Sequence, residues 1–267
     1  MNASTPEPLV LSSRNGPVLT LTLNRAKARN ALSEGLMAAL QDALDAAASD
    51  AQARAVVIAA DGPAFSSGHD LKEMTAHRAA ADGGKAAFAK IFAQCSALMQ
   101  SVVRHPKPVI ARVQGIATAA GCQLVASCDL AVASVAAKFA TPGVNIGLFC
   151  STPMVALSRN VSRKHAMEML LTGEMVSANQ AYHMGLVNRV VTPDALEAET
   201  AALAALIASK PRATVKTGKE AFYRQLEMPL SEAYDYASRV MTENMLHAEA
   251  NEGICAFVEK RDPKWPD

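Results

Sequence analysis

The sequence predicts an α/β fold in which short strands and helices alternate, followed by a mostly helical C-terminal region. Short apolar runs of strand length alternate with amphipathic helical segments through the first half of the 267 residues. Helical patterns dominate the second half, and no linker-like stretch divides the chain. We therefore expect a core at residues 1–200 and a C-terminal helical region at residues 201–267, within one structural unit.

The individual elements follow from local signals. Asn15 and Gly16 separate two extended runs, which is typical of a tight hairpin turn. Ser33 is a capping residue ahead of an apolar stripe, and Gly83 with Gly84 predicts a mobile loop. Strands are predicted at residues 8–13, 18–23, 54–60, 109–113 and 130–133, helices at 33–48, 85–104 and 122–128, and loops at 75–84 and 138–143. Later helices are predicted to begin near Thr152, Ser162, Ser177, Pro193, Pro211, Ser231 and Asn251.

Composition argues against several classes of function. Half of the residues are hydrophobic and the formal net charge is +1, so no basic surface for nucleic acid or an anionic membrane is indicated. The five cysteines are scattered and odd in number, which predicts reduced thiols in the core. The start, MNASTPEPLV, has neither a signal-peptide pattern nor an Arg-rich presequence, and no run of eighteen apolar residues occurs. We expect a cytoplasmic protein without a nucleic-acid or membrane partner.

Residues 111–134 carry the strongest functional signal. An apolar strand ends at Gly115, the small residues 117–121 follow, and an apolar helix comes next. Small residues at such a turn let a ligand approach the backbone closely. The first N–H groups of the helix have no partner within it, and they lie at the positive end of the helix dipole. This arrangement suits an anion, or an oxyanion that develops during a reaction.

Several motifs together resemble one family. The chain contains AFSSGHDL at residues 64–71, GIATAAGCQLVASCD at residues 115–129, FATP at residues 139–142 and FVEKR at residues 257–261. In this order they are similar to the crotonase (enoyl-CoA hydratase/isomerase) superfamily, and the resemblance spans nearly the whole chain. The sequences of these motifs are most similar to those of the enoyl-CoA hydratase domain-containing proteins, which lack the catalytic glutamates.

The resemblance implies a crotonase-like spiral of ββα turns with a C-terminal helical region that builds a homotrimer or a dimer of trimers. It also implies an acyl-coenzyme A thioester as substrate or ligand, in fatty acid metabolism, and no tightly bound cofactor. Two backbone N–H groups of the family hold the thioester oxygen. The matching positions are Ser66 and Ala120, with Gly121 beside the second, and we expect both amides to point into one cavity. Positions that match coenzyme A contacts are Arg25, Lys27, Arg29, Ser66, Gly68, Asp70, Leu71, Phe257 and Lys260.

The two glutamates that move protons in the family's hydratases are absent. Their positions are Gln123 and Gly143. Glutamine can hold a water but is not a general base at neutral pH, and glycine has no side chain. Because each proton-transfer group contributes about 10²- to 10⁴-fold, ordinary hydration should be nearly lost. On this reasoning, Gln123→Glu with Gly143→Glu should raise crotonyl-CoA hydration. Ser151 stands where the dienoyl isomerases carry an acid, which argues against that class.

Two titratable residues follow the first oxyanion loop. His69 is a candidate base, or else a helix-start residue that faces solvent or the coenzyme. Asp70 is a second candidate, or else an ordinary helix-capping acid. Cys150 is a candidate nucleophile or a small buried residue. The histidines have no spacing typical of metal ligands, so no metal site is expected.

Three functions are consistent with these residues. The first is an acyl-CoA enzyme of the lyase or isomerase class with an atypical site, for which isomerisation, hydrolysis, decarboxylation and slow hydration are open. The second is a non-catalytic protein that binds acyl-CoA and regulates or sequesters it. The third is an interaction protein that keeps only the trimer scaffold. The two small-residue loops and the loop cations favour the first two.

Overall fold

The fold consists of two sheets surrounded by helices in the computed structural model, which describes residues 7–266. The first six residues of the predicted core, and the last residue of the predicted helical region, lie outside that range. The strands are β1 (Val10–Asn15), β2 (Val18–Leu23), β3 (Ala55–Ala60), β4 (Ala64–Ser66), β5 (Val109–Val113), β6 (Ile116–Thr118), β7 (Leu130–Ser134), β8 (Lys138–Ala140), β9 (Val176–Ser177) and β10 (Arg189–Val191). The helices are α1 (Glu34–Ser49), α2 (Leu71–His77), α3 (Lys85–Val103), α4 (Ala120–Ser127), α5 (Ser151–Asn160), α6 (Arg163–Thr172), α7 (Ala178–Met184), α8 (Leu196–Ala208), α9 (Arg212–Gln225), α10 (Leu230–Met245) and α11 (Ala248–Glu259).

After the β1–β2 hairpin, each turn of the fold contributes one strand to each sheet. The larger sheet has the order β1-β2-β3-β5-β7-β10, and only its β1–β2 hairpin is antiparallel. The smaller sheet has the order β4-β6-β8-β9, with β4, β6 and β8 parallel. Strands β3, β5 and β7 are thus each followed by a short strand of the smaller sheet. This repeated ββα order confirms the predicted α/β class and spiral.

Apolar periodicity places the core where the sequence predicts it. The β3 strand is buried on both faces, as expected of a parallel strand inside a sheet. Helix α1 buries Leu36, Leu40 and Leu44 on one side, and the Ser33 hydroxyl accepts a hydrogen bond of 3.1 Å from the Leu36 N–H. In the hairpin, Asn15 pairs with Val18, so the turn residues are 16 and 17.

Two predicted loops contain regular structure. Helix α2, whose first turn is capped by the Asp70 carboxylate, continues to His77. The loop therefore begins only at Arg78. Gly83 and Gly84 then both have a positive φ, as their sequence suggested. The predicted loop at residues 138–143 begins with β8, which pairs with β6 and β9. A strand of three residues is too short for its periodicity to be recognised.

Helix α4 begins earlier in the sequence than predicted. The helix begins at Ala120 rather than at residue 122, so the small residues belong to its first turn. Helix α3 is long and apolar enough, by length and composition alone, to cross a membrane. It packs on α1 and α4 and buries Ile91, Cys95 and Leu98 in the core. Core helices of globular proteins pass the same test.

The C-terminal helices differ in how they meet the core. Helix α8 packs on the larger sheet and buries Leu196, Ala204 and Ala208, so the predicted boundary at residue 200 falls inside a core helix. Helices α9 and α10 bury none of their residues fully. Large apolar side chains are exposed along this region, namely Phe222, Leu226, Leu230, Tyr234, Met241, Met245, Leu246, Ile254, Phe257 and Val258.

Candidate active site

The N-terminus of α4 is the centre of the candidate site. Ala120 and Gly121 are its first residues, and both are buried. Ala119 precedes them with φ +49° and ψ −119°, and no side chain caps the helix. A positive φ in a residue with a Cβ costs about 1–3 kcal/mol, and such strain clusters at functional sites. The Ala119 N–H donates to the Ala140 carbonyl at 2.9 Å, which ties the turn to the end of β8.

The segment after β4 packs directly against this turn. A Cβ added at Gly121 would lie 2.3 Å from the Ser66 carbonyl oxygen, so the two backbones touch there. A Cβ added at Gly68 would lie 2.9 Å from the Ala119 Cβ and 3.3 Å from the Ala120 nitrogen. Both glycines are therefore needed for close approach. The two small-residue segments, predicted from separate parts of the sequence, meet at one place.

The side chain of Ser66 is used within the protein. Its hydroxyl donates to the Asn30 carbonyl at 2.8 Å and accepts from the Gly68 N–H at 3.3 Å. The Ser67 N–H donates to the Arg29 carbonyl at 3.1 Å. These bonds fix the loop and leave the Ser66 hydroxyl committed, in keeping with a predicted role for the Ser66 backbone alone.

Asn30 holds the cationic loop against β4. It is fully buried with φ +50°. Its side-chain amide donates to the Asp61 and Ala64 carbonyls, both at 2.8 Å, and its side-chain oxygen accepts from the Arg25 N–H at 2.8 Å. Sequence reasoning gave Asn30 no role. The only available signal was its place in a family motif.

We expect Asn30→Ala to lower the free energy of unfolding by about 3 kcal/mol, because one buried and two partly buried hydrogen bonds are lost. Asn30→Asp should be similarly damaging, since a carboxylate would face the Asp61 and Ala64 carbonyls. Denaturant unfolding measures both variants. Asn24→Ala is the control, because its amide makes one exposed bond of 2.9 Å to the Pro8 carbonyl. Equally small losses of unfolding free energy in Asn30→Ala and Asn24→Ala would contradict the anchoring role of Asn30.

Asp70 caps α2 and pairs with Arg25. Its Oδ1 accepts from the Lys72 and Glu73 N–H groups at 3.0 and 3.2 Å, and Arg25 Nη1 lies 2.7 Å from its Oδ2. Burial opposes ionisation of Asp70, but hydrogen bonds from Arg25 and the α2 backbone outweigh it and hold its pKa below the usual range. Asp70 is therefore a capping acid, and Arg25, which also donates to the Ala31 carbonyl at 3.1 Å, has an internal partner.

The other positions matched to coenzyme A contacts lie on the surface. Lys27 and Arg29 are exposed, and among residues 7–266 neither side chain makes an ion pair or hydrogen bond. Leu71 is half exposed at the start of α2. Phe257 and Lys260 lie at the end of α11, and within the described chain no hydrogen bond or ion pair joins them to the loop of Lys27 and Arg29. The structure thus brings together Ser66, Gly68 and Ala120, but not the two ends of the predicted coenzyme site.

Gln123 is buried one turn into α4. Its side-chain oxygen lies 4.0 Å from the Cys95 thiol of α3. Burial raises the pKa of Cys95 to about 12, so the thiol stays protonated and donates. The Gln123 side chain therefore faces α3, and its partner there is the neutral Cys95 thiol. The pair offers no base at neutral pH.

Gly143 has no room for a side chain. It is buried in the 3₁₀ turn Pro142–Ile146. A Cβ there would lie 2.6 Å from the Leu148 carbonyl oxygen and 2.9 Å from the Cys150 sulfur. The Leu148 N–H also donates to the Gly143 carbonyl at 2.9 Å, which closes the turn. A glutamate at residue 143 cannot fit without moving this turn, so in the present backbone the two glutamates are not expected to restore hydration.

Two polar side chains near the α4 turn have buried atoms without partners. The sequence predicts that His69, which follows Gly68, is a base or a helix-start residue that faces solvent or the coenzyme, and of these only the solvent-facing orientation is contradicted. Its ring meets Phe92 of α3 edge-on at 5.5 Å, and both ring nitrogens are buried without a hydrogen bond of normal geometry in the described structure, although the Leu32 backbone is a polar neighbour. The Thr141 hydroxyl, after β8, is also buried and unpartnered among residues 7–266. Buried polar atoms usually have partners, so these groups are candidates to meet a ligand.

Burial sets the protonation of the remaining groups. It lowers the pKa of His69, so the imidazole is neutral at pH 7. It raises the pKa of Cys150, which disfavours the thiolate and the nucleophile hypothesis. Cys122 and Cys128 are core residues, and their thiol pKa values are raised as well.

The enoyl-CoA hydratase/isomerase family model matches residues 13–267. The chain belongs to the enoyl-CoA hydratase/isomerase family. It is 47% identical to enoyl-CoA hydratase domain-containing protein 3, mitochondrial, of Mus musculus, over 98% of this chain and 86% of the mouse protein. An enoyl-CoA hydratase structure from Mycobacterium smegmatis has a TM-score of 0.93 and 56% identity, covering 97% of this chain and 99% of that one. The human enoyl coenzyme A hydratase domain-containing protein 3 structure has a TM-score of 0.91 and 46% identity, covering 96% and 100%.

Family membership confirms the resemblance drawn from the motifs. The assignment of Ser66 and Ala120 as oxyanion-binding amides stays a prediction from the motifs. The mouse relative is named as mitochondrial, so the comparisons give the predicted cytoplasmic location no support.

Proposed function

We propose that this family member binds an acyl-CoA thioester and holds its carbonyl oxygen with the Ser66 and Ala120 amides. The observation that supports this is the backbone contact between residues 66–68 and the strained start of α4. One donor of an oxyanion hole is worth about 3 kcal/mol of activation free energy. An enolate-like charge would therefore be stabilised at this turn whatever the subsequent step.

The chemistry we propose differs from ordinary hydration. Gln123 supplies no base, and Gly143 cannot be replaced by a side chain without a backbone shift. The neutral imidazole of His69 is a group that accepts a proton at neutral pH, and the Thr141 hydroxyl donates or accepts a hydrogen bond. These two groups favour isomerisation, hydrolysis or decarboxylation of a thioester over hydration of an enoyl-CoA. Isomerisation or decarboxylation would place the enzyme in the isomerase or lyase class.

The second candidate is a non-catalytic acyl-CoA-binding or regulatory protein. The loss of both glutamates supports it, since the family's proton-transfer pair is missing. In either case, Lys27 and Arg29 are the exposed cations that we assign to the coenzyme's phosphates. The exposed apolar side chains of α9–α11 support a homotrimer or a dimer of trimers.

The deciding experiment is steady-state hydration of crotonyl-CoA beside an established hydratase, together with acyl-CoA binding by calorimetry. We expect tight binding with hydration slower by orders of magnitude, and turnover of another thioester in a panel of acyl-CoAs. Binding without turnover of any thioester would favour the regulatory protein. No acyl-CoA binding, or hydration at the rate of the hydratase, would overturn the proposal.

Gln123→Glu combined with Gly143→Glu should not restore hydration, and the double variant should be less stable than Gln123→Glu alone. The reason is the 2.6 Å approach of any Cβ at residue 143 to the Leu148 oxygen. Overpacking of this kind costs about 1–3 kcal/mol. Crotonyl-CoA kinetics and denaturant unfolding of wild type, single and double variants measure both effects. A folded double variant with strong hydratase activity would show that the turn moves freely.

Protonation of His69 should couple to stability. Because burial lowers its pKa in the folded state, the unfolded chain binds a proton more readily, and the free energy of unfolding should fall as the pH drops below about 6.5. His69→Gln should reduce this slope, and His105, whose pKa is also lowered by burial, should account for part of the remainder. Unfolding is measured from pH 7 to 5, with the exposed His183→Gln as the control. An unchanged slope in the His69 variant would mean that its ring is already solvated.

A further inference from the structure

A cavity lined with cations lies away from the candidate active site. Its volume is about 130 Å³, and it lies among the C-terminus of α1, the segments that precede β3 and β5, and the α8–α9 connection. Its cationic residues are Arg54, Lys107, Lys210, Arg212 and Lys216. Residue 54 directly precedes β3, whereas the oxyanion turn follows β5 and β6. The two sites are therefore at opposite ends of the parallel strands.

Carboxylates only partly offset the positive charge in this cavity, through the effect of Asp50 on Lys107 and of Glu249 on Arg54. Within the described chain, none of the five cations forms an ion pair. Arg54 and Arg212 donate to main-chain oxygens instead, those of Lys210 at 2.7 Å and Ala51 at 3.1 Å. The Nε of Arg54 is buried and has no partner among residues 7–266. The guanidinium groups are thus fixed in place while their charge stays available.

The nearest carboxylates are committed elsewhere. Asp50 pairs with Arg14. Glu249 accepts from the Ala213 and Thr214 N–H groups of α9 at 3.0 and 2.9 Å. Burial, followed by the charge of Arg212, lowers the pKa of Lys107, and the charge of Asp50 opposes this shift. Lys107 itself donates to the Ala47 and Asp50 carbonyls at the end of α1.

We propose that this cavity binds a phosphate-class oxyanion, inorganic phosphate or pyrophosphate. Guanidinium and ammonium groups fixed around one space are the usual donors to such anions. The volume is large enough for a phosphate or a pyrophosphate. The bound anion would join the end of α1 to the α8–α9 connection and so hold the helical region on the core.

The test is calorimetric titration of wild type with sodium phosphate and with sodium pyrophosphate at constant ionic strength. The variant Lys210→Glu/Lys216→Glu reverses two exposed cations of the cavity that make no side-chain bond within the described residues. The control Arg163→Glu/Lys164→Glu makes the same charge change in the first turn of α6. A second control, Lys27→Glu/Arg29→Glu, reports any binding at the proposed coenzyme loop.

We expect saturable binding of at least one anion, weakened at least tenfold in the cavity variant and unchanged in both controls. Saturating anion should also raise the melting temperature of wild type but not of the cavity variant. Absence of saturable binding in wild type, or equal binding in the cavity variant, would overturn the proposal. Loss of binding in the coenzyme-loop control would likewise overturn it, because the anion would then occupy the other site.

Discussion

Gly121→Ala should abolish most of the activity or thioester binding at the candidate site. The new methyl group would lie 2.3 Å from the Ser66 carbonyl oxygen, a distance that only a backbone shift can relieve. That shift would separate the Ser66 segment from the Ala120 amide. Displacement of one oxyanion donor costs about 10²- to 10³-fold in kcat. The overpacking should also cost about 1–3 kcal/mol of unfolding free energy.

The matched control is Gly218→Ala. Gly218 lies inside α9, and a Cβ added there meets no heavy atom within 4 Å. The same substitution should stabilise the protein by about 0.5–1 kcal/mol, because alanine is the better helix former. Denaturant unfolding, with acyl-CoA calorimetry and turnover, compares the two variants. A folded Gly121→Ala variant with wild-type binding and turnover would contradict the proposed oxyanion hole, because the contact between the Ser66 segment and α4 would then not be needed for function.

The long, periodic elements could be predicted from the sequence, and the short ones could not. Helix α1 has a capping serine and an apolar stripe over sixteen residues, which is enough signal to place it. Strand β8 has three residues, and its identity depends on pairing with β6 and β9. Such pairing is a long-range property that no local pattern contains.

The same distinction holds at the site. The absent glutamates are visible as Gln123 and Gly143 in the sequence, since a motif fixes both positions. That residue 143 has no space for any side chain depends on where the Leu148 carbonyl lies after folding. The burial of His69 under Phe92 likewise depends on the docking of α3. Residue identity could be predicted locally, whereas space and solvation required the packed structure.

Asp129→Asn should be strongly destabilising, because Asp129 neutralises a buried lysine that joins α9 to the core. The Lys219 side chain is 8% exposed, and its Nζ lies 2.7 Å from the Asp129 carboxylate. It also donates to the Lys107 and Val102 carbonyls at 3.1 and 3.3 Å. Removing the partner of a buried charge typically costs about 3–5 kcal/mol. Denaturant unfolding of the variant should show a loss of this size.

A double-variant cycle isolates the cost in stability of leaving the Lys219 charge unpaired. Asp129 also accepts from the Tyr223 hydroxyl at 2.9 Å and the Val109 N–H at 2.6 Å, and an asparagine oxygen can keep one of these bonds. Adding Lys219→Met to Asp129→Asn should therefore recover much of the stability, because no unpaired charge remains. The exposed pair Arg159–Glu227 is the control, where Arg159→Met should cost less than about 1 kcal/mol.

The pH dependence of the Asp129→Asn variant gives an independent check on the charge. Burial already lowers the pKa of Lys219 in wild type, opposed by Asp129, and loss of the carboxylate should lower it further. The unfolded lysine keeps a pKa of about 10.4. At pH values between the lowered pKa of Lys219 in the folded variant and its pKa in the unfolded chain, the unfolded chain binds more protons than the folded protein. The free energy of unfolding of the variant should therefore rise as the pH increases from 7 towards 10. A defect that stays constant over this range would mean that lost hydrogen bonds, rather than a buried unpaired charge, cause the destabilisation.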